Sequence, residues 1–118
     1  MQDIFTEDTG SGIPLVMVHG FLGSSDMWGP QINFFKDNFR VIAPSLPGFG
    51  RSGDINSCKS IECMAKAILD LLEKKKIKNF NLLGHSMGGM IVQEIAKIAT
   101  DKILKLICYG TGPRGNMP

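Results

Sequence analysis

Hydrophobic positions along the chain alternate between two kinds of stretch. Short, nearly unbroken apolar runs (Leu15–Val18, Val41–Ala43, Leu82–Leu83) alternate with stretches in which apolar residues recur every three or four positions. Runs of the first kind suit strands covered on both faces, and the second kind suits amphipathic helices. The pattern predicts strands at Leu15–Val18, Arg40–Pro44, Phe80–Leu83 and Leu104–Tyr109. Pro44 and Pro47 stop the second of these. Between the strands, Met27, Trp28, Ile32 and Phe35 keep helical spacing, and Ser24 or Ser25 can cap that segment. Ser60 caps a clearer helix carrying Ile61, Met64, Ala65, Ile68, Leu71 and Leu72. A third helix, about Ser86 to Thr100, carries Met90, Ile91, Ile95 and Ile98. Strands separated by helices of this length imply βαβ units, a parallel sheet and right-handed crossovers. The fold class predicted is α/β.

Composition narrows the class without changing it. The 118 residues suffice for one domain with one core, and 43% hydrophobic against 20% charged residues describes a globular chain. A net charge of +2 gives no reason to expect nucleic acid or an anionic membrane surface as a partner. Lys74, Lys75 and Lys76 close the second helix, where they suit the negative end of its dipole. No apolar run approaches the roughly 20 residues that span a bilayer. Met1–Glu7 lacks the basic and apolar regions of a signal peptide. Cys58, Cys63 and Cys108 cannot all pair and form no Cys-x-x-Cys, so reduced thiols and a cytoplasmic location are expected. No metal or organic cofactor is implied.

The chemistry-bearing signal is Gly84-His85-Ser86-Met87-Gly88, set between the third predicted strand and the third helix. A serine at such a hinge sits on a tight, strained turn with its hydroxyl projecting, and the glycines let the chains approach closely. The helix that follows points its amides and dipole at whatever the serine binds. A helix-capping serine is the plain alternative. Two upstream features weigh against it: His19-Gly20-Phe21 follows the first strand directly, and Pro47-Gly48-Phe49-Gly50-Arg51-Ser52 follows the second. Gly48–Gly53 also matches a Gly-x-Gly-x-x-Gly dinucleotide fingerprint. No helix starts there and no acidic residue ends the next strand, so a nucleotide cofactor is not expected.

In this order and spacing the chain resembles the N-terminal half of an α/β-hydrolase. The similar branch includes carboxylesterases, C–C bond hydrolases, perhydrolases and proline iminopeptidases, and the resemblance covers essentially the whole chain. It implies a mostly parallel sheet with flanking helices and a serine-dependent hydrolase acting on a small-molecule ester through an acyl-enzyme. Ser86 would be the nucleophile, with the backbone N–H groups of Phe21 and Met87 as the oxyanion hole. Gly84, His85, Gly88, His19 and Gly20 would shape the elbow and the oxyanion loop. Family members usually carry aspartate where this chain has Ser45. A serine at position 86 excludes relatives that use aspartate there.

The resemblance also implies what is missing. A serine hydroxyl needs a general base and the base an orienting carboxylate, in the chain order Ser, Asp or Glu, His. The last acidic residue is Asp101, ahead of the final strand, and no histidine follows His85. Residues 1–118 are therefore expected to be the N-terminal part of a single hydrolase domain, without the cap region and C-terminal half and with little or no turnover alone. An open apolar sheet edge is expected to favour self-association or a complementing chain. The alternatives are a C–C bond hydrolase or perhydrolase of the same fold, and a non-catalytic, truncated binding module.

Overall fold

In the computed structural model, which describes residues 4–20, 28–46 and 60–109, five strands form one sheet. In chain order they are β1 (Thr6–Thr9), β2 (Ile13–Val18), β3 (Phe39–Pro44), β4 (Phe80–His85) and β5 (Ile103–Tyr109). The helices are α1 (Gly29–Phe35), α2 (Ile61–Lys74) and α3 (Met87–Ile98), with a 3-10 turn over Thr100–Lys102. Across the sheet the strand order is β1-β3-β2-β4-β5. Neighbours from β3 to β5 run parallel, and only β1 is antiparallel to its neighbour, β3.

The unbroken apolar run of β2 is explained by its central place. Leu15 and Met17 pack with Val41, Ala43 and Trp28 on one face. Val16 and Val18 join Ile42, Phe80, Leu82 and the inner sides of α2 and α3 on the other. Handedness sets the layers. The path β2–α1–β3 moves one way across the sheet, while β3–α2–β4 and β4–α3–β5 move the other way. Right-handed crossovers then place α1 on one face and α2 with α3 on the opposite face. The order reverses between β2 and β4, and the crevice beyond the carboxyl ends of these two strands is where open α/β sheets bind ligands.

Local chemistry accounts for the helix ends. The Ser60 hydroxyl accepts a bond from the Cys63 amide at 3.0 Å and caps α2. At the other end Ile77 N–H donates to Leu72 O and Lys76 N–H to Glu73 O, both at 2.9 Å, with Lys76 in the left-handed region at φ 61°. This is a Schellman stop, with Ile77 buried against the helix. Pro30 stands at the start of α1, whose entry is Trp28. The expected serine caps, Ser24 and Ser25, lie outside the described residues.

One strand went unforeseen, and two expectations need correction. β1 was not foreseen, because Thr6-Glu7-Asp8-Thr9 has no apolar residue to mark it. It is held by its ladder to β3 and by Asp8, which pairs with Arg40 at 2.8 Å and Lys75 at 2.7 Å. Next, α3 stops at Ile98 rather than Thr100, and the 3-10 turn takes up the remainder. Finally, Cys63 is disulfide-bonded and Cys108 is a free thiol, so three reduced cysteines are not found. Pairing depends on the approach of sulfur atoms in space, which spacing alone does not reveal. The redox argument for a cytoplasmic location falls with it.

Candidate active site

Ser86 follows β4 immediately and precedes α3, with φ 57° and ψ −121°. A non-glycine residue at positive φ is strained, and such strain persists only where the surroundings impose it. They do so here through close contacts on both sides of the serine. A β-carbon on Gly84 would collide with the Gly88 carbonyl and stand 2.7 Å from Gly89 Cα. One on Gly88 would collide with Val18 O and stand 2.6 Å from His19 O. The first turn of α3 is thus pressed against the ends of β4 and β2 at once. Gly89 N–H donates to Ser86 O at 2.9 Å and closes the turn. The amide of Met87, the first residue of α3, has no carbonyl four residues back within the helix to accept it.

The crevice at the strand-order reversal brings the loop after β2 to this turn. A β-carbon on Gly20 would stand 2.8 Å from Ser86 Cβ, 2.9 Å from His85 O and 3.3 Å from Ser86 Oγ. Gly20 therefore touches the serine, and any side chain there would push it away. His19, beside it, is fully buried. Its Nδ1 lies 2.7 Å from Gly20 O, and its Nε2 accepts the Leu46 amide at 3.0 Å. Burial pushes the imidazole below its ordinary pKa, with the Gly20 carbonyl pulling weakly the other way. Both ring nitrogens are occupied by backbone, so His19 is not placed to serve Ser86 as a base. His85 is half-buried at the end of β4, adjacent to the serine in the chain.

The structure thus brings together His19, Gly20, Gly84, His85, Ser86, Met87 and Gly88 from the expected set. Phe21 lies outside the described residues, as do Gly48–Gly53. Asp101 is in the 3-10 turn ahead of β5. With β5 parallel to β4, a seven-residue strand separates it from the Ser86 end of the sheet by about 20 Å. It cannot orient a base at Ser86. Among the described residues no three His, Cys, Asp or Glu side chains are grouped to hold a metal ion. Sequence reasoning missed the bond from His19 to Leu46, two residues 27 positions apart with no motif linking them. Ser45, where aspartate was expected, is buried, and its amide donates to Phe5 O at 2.8 Å.

Comparison with known proteins agrees with this geometry. Residues 13–118 match the family model for the alpha/beta hydrolase fold. A pimeloyl-[acyl-carrier protein] methyl ester esterase of Legionella pneumophila is 33% identical over 113 residues, covering 96% of this chain and 44% of that protein. A thermophilic esterase from Thermogutta terrifontis superposes with a TM-score of 0.88 at 36% identity, over 92% of this chain and 40% of that one. An N-acyl homoserine lactonase structure gives a TM-score of 0.84 at 32% identity, over 90% of this chain and 40% of the other. The chain thus spans about two fifths of the length of these relatives. The serine turn at the strand-order reversal, the sheet order and the match over residues 13–118 lead to one conclusion: the chain belongs to the α/β-hydrolase family.

Proposed function

We propose that this chain is the nucleophile-bearing N-terminal part of a serine-dependent hydrolase acting on small-molecule carboxylic esters. The observation that carries the reading is Ser86 at positive φ on the β4–α3 turn, with Gly20 in contact with it. Ser86 Oγ attacks the ester carbonyl carbon, and the carbonyl electron pair moves onto oxygen. The amides of Met87 and Phe21 hold that oxyanion, and fixed donors of this kind are worth about 10²–10³ in rate each. The general base takes the Ser86 hydroxyl proton during attack and returns it to the departing alcohol as the intermediate collapses, which leaves an acyl-serine that water then cleaves to the acid. The similar proteins above are named as esterases or a lactonase, and a lactone is a cyclic ester.

The base and its orienting carboxylate belong, in this proposal, to polypeptide beyond residue 118 or on a complementing chain. Two features support it. Leu104, Leu106 and Ile107 of β5 are 41–52% exposed. On the α1 face an apolar cavity of about 380 Å³, lined by Leu15, Phe35, Phe39, Leu83, Leu104 and Ile107, is left unfilled. Alone, the chain turns over little. Any residual acceleration falls within the 10³–10⁴ that binding and an oxyanion hole retain in triad knockouts. A cytoplasmic location belongs to the same proposal. Alkylation of thiols at the moment of cell lysis tests it, and a Cys63 that stays oxidised there counts against it.

A fluorophosphonate probe and a nitrophenyl ester, used on this chain and on a product extended past residue 118, provide the test. Slow labelling of Ser86 without turnover in the chain, with both fast in the extended product, supports the reading. Labelling that survives Ser86→Ala overturns the nucleophile. Enzyme-like turnover by the 118 residues alone overturns the incompleteness. An extended product inert to esters but active on C–C bonds or peroxide moves the assignment to the alternatives of the same fold. One inert to all of them leaves a binding module.

A further inference from the structure

The end of the sheet away from Ser86 holds a cleft of about 380 Å³. It lies where α2 stops, β4 starts and the 3-10 turn leads into β5. Leu69 and Leu72 of α2, the buried Ile77 after it and Phe80 at the head of β4 give it an apolar floor. The six residues of β4, about 20 Å of strand, separate this floor from Ser86.

Three lysines line the same cleft, each from a different place in the chain. Lys76 follows α2, Lys78 precedes β4, and Lys102 ends the 3-10 turn, which the pairing of Ile103 with Phe80 sets beside β4. Among the described residues none of the three forms an ion pair or a side-chain hydrogen bond. Their neighbours differ: Lys74 is paired with Asp70 at 3.3 Å and Lys75 with Asp8 at 2.7 Å. Nor does the carbonyl end of α2 need them, because the backbone closes it through the Lys76 and Ile77 amides. Glu73 is the one acidic residue in the lining among the described residues, so three ammonium groups share the cleft with one carboxylate. Like charges gathered in this way repel one another, and an anion entering among them relieves the repulsion.

We propose that this cleft binds an anionic amphiphile of the fatty-acid class, with its carboxylate among Lys76, Lys78 and Lys102 and its chain on the floor. Neither half of the lining suffices alone. Lysines are point charges that attract any anion, and each exposed pair is worth little. Four hydrocarbon side chains offer a bare inorganic anion no hydrogen bond, but they can cover methylene groups, at about fourfold in affinity for each one buried. Charge and chain are therefore both part of the ligand. The site stands on this geometry and does not rest on the function proposed above.

The test is a titration of the 15N-labelled chain with decanoate, hexanoate, decanol and inorganic phosphate, each kept below any concentration that forms micelles. Decanoate should saturably shift the amides of Lys76, Ile77, Lys78, Phe80, Lys102 and Ile103, and leave that of Ser86 in place. Hexanoate has the charge and a shorter chain, decanol the chain without the charge, and phosphate the charge without a chain. Each should bind more weakly than decanoate by about tenfold or more. Lys78→Gln with Lys102→Gln, both at exposed side chains, should weaken decanoate about tenfold and leave the melting temperature unchanged.

Shifts confined to β5 or to the α1-face cavity would put the ligand elsewhere and overturn the proposal. Decanol binding as tightly as decanoate would reduce the site to an apolar hollow, and phosphate doing so would reduce it to a patch of charge. Either result overturns it, as does unchanged decanoate binding in the double variant. Labelling of Ser86 decides the nucleophile separately, so the two readings fail independently.

Discussion

Gly88 lies against the carbonyl oxygen of Val18 with no room for a β-carbon between them. One glycine thereby joins the start of α3 to the end of the central strand, and the serine turn is caught between the two. Gly88→Ala forces backbone against backbone, which no side-chain rotation relieves. We expect a loss of about 3 kcal/mol or more, at the upper end of single-substitution effects. Gly29→Ala is the control, since a β-carbon there meets nothing within 4 Å. Urea denaturation of the two variants checks this, and equal midpoints would contradict it.

Lys76 occupies the left-handed position that ends α2, a place suited to glycine. It is exposed, with no ion pair among the described residues. Lys76→Gly should raise stability by about 0.5–1 kcal/mol through relief of the backbone. Lys76→Ala should change it little. Thermal melts of both variants distinguish the backbone effect from loss of the charge.

Acid should weaken the fold in two windows. His19 has a folded pKa below its unfolded value near 6.5, so below pH 6.5 the unfolded chain takes up a proton that the buried ring refuses. Stability is therefore full above that pH and starts to fall beneath it. Asp8 is held at about 2 against 3.8, first by its bond to Arg40 and then by Lys75. Its contribution is full above pH 3.8 and is lost as pH falls toward 2. The cluster is partly exposed, so solvent screening limits it to about 1 kcal/mol. Denaturation against pH should lose the upper window in His19→Gln and the lower one in Asp8→Asn, and high salt should shrink only the lower.

β5 carries Leu104, Leu106 and Ile107 at the far side of the sheet, and no strand covers its outer side among the described residues. Exposed strands of this kind pair with other chains unless charge blocks them. Leu104→Lys with Ile107→Lys should reduce self-association of the chain as read by light scattering. The serine turn, built from β2, β4 and α3, should be left intact. Unchanged association in that double variant would place the contact elsewhere.

Much of the fold was legible because burial writes itself into apolar spacing. β2 and β3 are buried on both faces over their last four residues and read as runs, β4 alternates buried with half-buried positions, and α2 shows its inner side at every third or fourth residue. The elbow was legible for a different reason. Gly84 and Gly88 are demanded by contacts within ten residues of chain or with the end of β2, so the requirement appears as letters at fixed spacing. β1 was not legible. Its stability comes from the β3 ladder and from Asp8 reaching residues 32 and 67 positions away, and local spacing carries no trace of such pairings.

The sequence by itself determined the alternation of elements, the capped α2, the serine at a strand–helix hinge and the family resemblance. Each depends on burial or on contacts between near neighbours. Tertiary structure alone decided that β1 joins the sheet antiparallel and that Cys63 is paired. It also decided that the His19 ring meets backbone at both of its nitrogens. One of those contacts is with Leu46, whose amide reaches the ring only because β2 and β3 lie side by side. Adjacency between strands is a property of the folded sheet, and no residue type records it in advance.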